Sequence, residues 1–160
     1  MTVKIGDKLP STILMQMKDG GPKPVKTDDF FAGRKVVLFA LPGAFTPTCS
    51  AKHLPGYVQL ADKIKAKGID AIACLSVNDA FVMGAWGEQQ GAGDKVDMLA
   101  DGNGEFTKAL GLEMDGSKFG MGLRSKRYAM LVEDGVVKKL DIEEAGAFSV
   151  SSAEHMLEQL

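Results

Sequence analysis

The chain has 160 residues, 45% hydrophobic and 25% charged, with a formal net charge of −2. That length fits one domain with a sizeable core, so a single domain over residues 1–160 is expected. The charge balance offers no basic face for nucleic acid, no apolar run is long enough to cross a membrane, and Met1–Asp7 has no apolar core of a secretory signal.

In chain order, Ile13–Met17 and Lys23–Lys26 flank the turn residues Lys18–Gly21 and predict a hairpin. Thr27–Phe31 predicts a short helical turn, with Thr27 as N-cap and Gly33 closing it. Lys35–Leu41 is a near-continuous apolar run, as a buried strand needs. Leu54, Tyr57, Val58, Ala61 and Ile64 recur at helical spacing up to Gly68, and Pro55 inside that pattern predicts a kink. Ile69–Val77 predicts a second buried strand, and Asn78 or Asp79 caps a helix carrying Phe81, Val82, Ala85 and Trp86. Val96–Ala100 predicts a third strand, and Glu105–Leu110 a short helix stopped by Gly111. Tyr128–Val132 and Val136–Leu140 flank Glu133–Gly135, a strong hairpin signal. Ser151 or Ser152 opens a last helix with Met156, Leu157 and Leu160 on one face. Strands alternating with helices predict an α/β fold: a central mixed sheet, helices on both faces, and antiparallel edge strands from the closing hairpin.

Cys49 follows an apolar strand and opens a helix, in the loop Leu41–Ser50. Only the thiolate of cysteine is a good nucleophile, and a helix N-terminus favours that anion. Thr46 and Thr48 supply hydroxyls that can bond a backbone N–H, the sulfur or a substrate. Pro42 and Pro47 stiffen the loop, and a site that must meet a transition state works best preorganised. The alternative is a buried structural cysteine, since free Cys is among the most buried residue types. Arg124, Lys126 and Arg127 read by themselves as a solvated cationic turn.

The stretch Pro42–Ser50, followed by His53-Leu54-Pro55-Gly56-Tyr57, resembles the peroxiredoxins, in particular their peroxiredoxin-5 or type II subfamily. The likeness continues through Ser76–Asp79 with Phe81–Met83 and Trp86, through Ala100–Gly102, and through Arg124–Met130, so it spans nearly the whole chain. The resemblance implies a thioredoxin-like fold and a thiol peroxidase acting on hydrogen peroxide and alkyl hydroperoxides. It implies that Cys49 is the peroxidatic cysteine, which attacks a peroxide oxygen and becomes a sulfenic acid. It implies that Thr46 contacts the peroxide and the sulfur, that Pro42 shields the cysteine, and that Arg127 stabilises thiolate and peroxide, leaving Arg124 and Lys126 as surface charges. Chemistry agrees: O–O cleavage puts negative charge on the leaving oxygen, which a guanidinium, a hydroxyl and backbone N–H groups can stabilise.

The mammalian branch of that family carries a resolving cysteine after the hairpin, where Gly146–Ser152 here has none. Cys74 matches the second cysteine of the plant type II branch, but it falls mid-strand, where inert packing is the default, and a disulfide needs Cα atoms within about 7 Å. An external thiol is therefore expected to regenerate Cys49, with no bound cofactor; the type II resemblance implies glutathione with glutaredoxin as the first choice and thioredoxin as the second. Two cysteines are too few for a disulfide scaffold and suit a reducing compartment, here the cytoplasm. His53 falls four residues after Cys49 and is read as a packing or supporting residue; His155 is expected to be exposed. A Cys/His zinc site lacks ligands, and Asp101–Glu105 is a turn, with Phe106 where a calcium loop needs glycine. A thioredoxin-type carrier fails because Thr46 stands where the second cysteine of Cys-x-x-Cys would be. A signalling module that hands its oxidised cysteine to a partner stays open. The family likeness also implies a homodimer, with Phe45, Phe81 and Phe119 as contact candidates that could equally be core.

Overall fold

The first hairpin ends in a turn whose central residues, Asp19 and Gly20, both have positive φ (52° and 80°), as a tight two-residue turn requires. In the computed structural model, which describes residues 1–160, β1 (Ile13–Lys18) and β2 (Gly21–Lys26) pair antiparallel around it. Helix α1 (Thr27–Phe31) follows directly. Thr27 does not cap it. Its hydroxyl donates to the Pro10 carbonyl (2.8 Å) and accepts from Thr12 N–H, which fastens the helix to the segment before β1.

β3 (Lys35–Ala40) is the apolar run. Val36, Leu38 and Ala40 project to one face and Val37 and Phe39 to the other, so both faces must be covered. After the cysteine loop the chain turns helical at Pro47 and leads into α2 (Leu54–Lys65). Pro55 is the second residue of α2 but lies within the helical run that began at Pro47, as its spacing predicts. The departure from α geometry comes earlier, as a π-turn over Cys49–His53 closed by Leu54 N–H on the Cys49 carbonyl. A proline ring collides with the carbonyl four residues back in a regular helix, and that residue, Ala51, lies inside the wider turn.

The rest follows in order: β4 (Ala71–Ser76), α3 (Ala80–Gln89), β5 (Asp97–Ala100), α4 (Glu105–Leu110), β6 (Glu113–Asp115), a 3₁₀ turn (Ser117–Phe119), β7 (Leu123–Ser125), β8 (Tyr128–Glu133), β9 (Val136–Ile142) and α5 (Ala153–Glu158). Asp79 caps α3 and Ser152 caps α5, each accepting a backbone N–H three residues on. Only Trp86, of the four residues assigned to the α3 face, is fully buried; Phe81 and Ala85 point outward, and Met83 and Gly87 take their place. The small β6–β7 ribbon had no sequence signal, because three-residue strands are too short to show a period.

The seven-stranded sheet has the order β2-β1-β5-β4-β3-β8-β9. β3, β4 and β5 run parallel, and β8 and β1 join antiparallel, so the sheet is mixed with a hairpin at each edge. α2, α3 and α5 cover one face through Tyr57, Ile64, Trp86 and Met156. α1 and α4 cover the other through Phe31, Phe106 and Leu110.

Candidate active site

Strand register builds the site. Ala40, the last residue of β3, pairs with Tyr128, and Tyr128 pairs with Ile142. The residues just beyond these partners, Leu41, Arg127 and Glu143, therefore meet at one end of the sheet, although they are separated by up to about a hundred positions. The Glu143 N–H donates to the Arg127 carbonyl (2.9 Å) and locks the outer pair. This is the carboxyl end of the parallel strands, where open α/β sheets hold their sites.

Cys49 lies in the first helical turn, which closes with Ser50 N–H on the Thr46 carbonyl (2.9 Å). Its side chain is fully buried and unbridged. Arg127 Nη2 donates to its Sγ at 3.1 Å. A guanidinium in that position offers a charge-assisted bond to a sulfur anion and to an oxygen that gains charge beside it. Thr46 is half-buried, and its hydroxyl donates to the Gly43 carbonyl (2.7 Å). With the proton so committed, the oxygen lone pairs are left for an incoming O–H donor. Pro42 is half-buried and, with Thr48, Met114, Lys126, Arg127 and Glu144, lines a pocket of about 380 Å³.

Several residues to which the sequence assigned other roles hold this geometry. Arg124 is half-buried rather than a surface charge: its Nε donates to Met121 O (3.0 Å) and its Nη1 to Pro42 O (3.4 Å). It crosses so close to the loop that a Cβ at Gly43 would stand 3.0 Å from Nη1 and 3.2 Å from Thr46 Cγ2, tighter than ordinary contact. Asn78 does not cap α3; its Oδ1 accepts from Ala44 N–H (3.0 Å) and Ser76 Oγ (2.6 Å), tying the cysteine loop to the next strand. Phe45 takes a left-handed backbone (φ 65°), a conformation that costs a bulky residue about 1–3 kcal/mol and that clusters at functional sites. Trp86 Nε1 donates to Ser50 Oγ (3.0 Å).

His53 is fully buried and joins the site directly. Its Nδ1 lies 2.8 Å from Arg127 Nη1, and its Nε2 lies 3.1 Å from the Ser151 carbonyl. Burial first, and the neighbouring guanidinium second, lower its pKa from 6.5 to about 3, against smaller opposing effects of the Ser151 bond and Glu143. The Ser151 carbonyl also accepts from Tyr57 Oη (2.9 Å). Glu143 Oε2 in turn accepts from Ser149 N–H, Ser151 N–H and the Ser151 hydroxyl, at 2.7–2.8 Å. Burial pushes the Glu143 carboxyl up, but these donors outweigh it and hold it below the usual range. No pattern in the sequence linked His53 to Arg127, 74 positions apart.

Cys74 sits in β4, opposite Phe39 and Met98 in its neighbours, and is also fully buried and unbridged. Burial raises its thiol well above the ordinary range, so it stays protonated. His155 is half-buried against Asp141 (3.7 Å), not free in solvent. Phe45, Phe81 and Phe119 are 50%, 63% and 80% exposed, so none of them is core.

The model of the Redoxin family matches residues 4–157. Chloroplastic peroxiredoxin-2E-2 of Oryza sativa is 58% identical over 164 residues, covering 99% of this chain and 73% of that protein. Chloroplastic peroxiredoxin-2E of Arabidopsis thaliana is 54% identical over 163 residues, covering 99% and 70%. The crystal structure of reduced Prx3 from Vibrio vulnificus in complex with hydrogen peroxide matches with a TM-score of 0.95 and 56% identity over 99% of each chain. A buried cysteine met by a guanidinium at a helix start, on a thioredoxin-like sheet with these relatives, makes this chain a member of the Redoxin family and, within it, a type II peroxiredoxin, a thiol-dependent peroxidase.

Proposed function

We propose that Cys49 is the sulfur that takes the peroxide oxygen, and that Arg127, Thr46 and Pro42 shape its pocket. The observation that supports this best is the 3.1 Å bond from Arg127 Nη2 to Cys49 Sγ. In the step, the thiolate attacks one peroxide oxygen, an S–O bond forms and the O–O bond breaks. The leaving oxygen departs as hydroxide or alkoxide and takes up a proton as water or alcohol, while Cys49 is left as sulfenic acid. Arg127 shares its donors between sulfur and the oxygen that gains charge. Thr46 Oγ1 accepts from the peroxide O–H, and Pro42 limits water at the sulfur.

An external thiol completes the cycle. It condenses with the sulfenic acid, releasing water and leaving a mixed disulfide, and a second thiol attacks that disulfide to free Cys49. Glutathione with glutaredoxin is the first choice of reductant and thioredoxin the second. Cys74 is a poor resolving cysteine, because a covered, protonated thiol in mid-sheet cannot attack without displacing β4. Hydrogen peroxide is a fitting substrate, given the Vibrio relative crystallised with it. A reducing compartment such as the cytoplasm suits the two free thiols. Pairing of two chains through the exposed Phe45, Phe81 and Phe119 would give a homodimer, which a sedimentation measurement on the protein and its Phe119→Ser variant tests.

Peroxide consumption with a glutathione–glutaredoxin system, measured beside mass spectrometry after one equivalent of peroxide, tests the whole reading. Rapid turnover absent in Cys49→Ser, with oxygen or glutathione found on Cys49, is expected. Turnover that survives Cys49→Ser, or oxidation found first on Cys74, overturns it. Oxidation of Cys49 without turnover in either reducing system would instead favour a signalling role.

A further inference from the structure

We infer that His53 is a positioning residue that holds Arg127 against the reacting sulfur as a neutral hydrogen-bond acceptor. This rests on the peroxidase reading of Arg127. The hydrogen-bond pattern leaves one protonation state. The Ser151 carbonyl can only accept, so His53 Nε2 must carry the hydrogen of that 3.1 Å contact. The Arg127 guanidinium can only donate, so His53 Nδ1 must present a lone pair to Nη1 at 2.8 Å. An imidazolium would set N–H against N–H and cation against cation. The Ser151 carbonyl that dictates this tautomer is itself fixed, by Tyr57 Oη on its oxygen and by Glu143 on the Ser151 N–H and hydroxyl. Desolvation acts in the same direction, since the buried ring resists protonation down to about pH 3.

A neutral acceptor has a specific advantage here. None of the three ion pairs in the structure involves Arg127. Its guanidinium also meets the Cys49 sulfur and the Phe148 ring, whose centroid lies 5.7 Å from Cζ, while Glu143 and Glu144 line the same pocket without forming an ion pair to it. A carboxylate in place of His53 would orient the guanidinium but also neutralise it. His53 orients it and leaves its charge for sulfur and peroxide.

Two measurements decide this. The first is ¹⁵N NMR of the ring nitrogens in the unmodified protein, made tractable by there being only His53 and His155. A neutral Nε2–H tautomer for His53 at neutral pH is expected; an Nδ1–H tautomer or an imidazolium overturns the inference. The second is a double-mutant cycle on kcat/KM for hydrogen peroxide. His53→Leu should lower it about tenfold, and His53→Asn, whose Oδ1 can replace the Nδ1 lone pair, should recover most of the loss. In an Arg127→Ala background, His53→Leu should cost nothing further. An equal loss in both backgrounds overturns the inference, because the histidine would then act on something other than the arginine. Full activity in His53→Leu beside a slow Arg127→Ala overturns this inference alone. Full activity in Arg127→Ala overturns the role of the arginine and this inference with it.

Discussion

Cys49 and Cys74 are both fully buried, both unbridged, and both packed into the same apolar layer between the sheet and α2, α3 and α5. What separates them is the polar company each keeps. Cys49 lies at the sheet's carboxyl end, in a helical turn, with a guanidinium 3.1 Å from its sulfur. Cys74 has strand neighbours on either side and no such donor, and burial holds its thiol protonated. Burial by itself therefore says little about the reactivity of a cysteine. On the proposed reading, the donors available to the anion decide it.

The sharpest way to break the comparison is to remove the donor. Arg127→Ala should leave the fold intact and lower the second-order rate of Cys49 with hydrogen peroxide by about a hundredfold or more, the usual loss for one preorganised donor. A stopped-flow rate within twofold of the parent would mean that the guanidinium does not distinguish the two sulfurs. Thr46→Val, which keeps shape and removes the hydroxyl, should cost about tenfold in the same assay, as a single neutral hydrogen bond is worth. An unchanged rate would assign the threonine to the loop alone.

The pH dependence of stability probes the polar side of the contrast. His53 has a pKa of about 3 when folded against 6.5 when free. Above about pH 6.5 both states are neutral and nothing changes. Between about 6.5 and 3 the unfolded chain takes up a proton that the folded chain refuses, so stability falls as pH falls, by about 1.4 kcal/mol per unit. Glu143, depressed in the fold, adds loss of the same sign as pH falls from the ordinary carboxyl value toward its lower folded one. Denaturant melts across that range should show a slope smaller by about one proton in His53→Asn. An unaltered slope would mean that another group governs the acid limit. The smallest effect on catalysis is expected of Cys74→Ala. It should retain turnover with an external thiol reductant and cost only about 1–2 kcal/mol of stability through lost core packing. Loss of turnover would make Cys74 the resolving thiol after all.

The amino-acid sequence alone determined the alternation of strands and helices, both hairpins, the mixed sheet and the loop that bears Cys49. These features depend on local periodicity, on turn residues such as Asp19-Gly20 and Asp134-Gly135, and on one dense motif, Pro42–Ser50. Only the tertiary structure decided which distant polar groups meet. Register along β3, β8 and β9 set Arg127 and Glu143 beside the cysteine loop, β7 carried Arg124 to Pro42 as a brace rather than a surface charge, and His53, read as a packing or supporting residue, received Arg127 as its partner. A hydrogen bond between side chains 74 positions apart leaves no period or spacing in the chain. It exists because the sheet brings its ends together, and a sequence read by itself has no such ends.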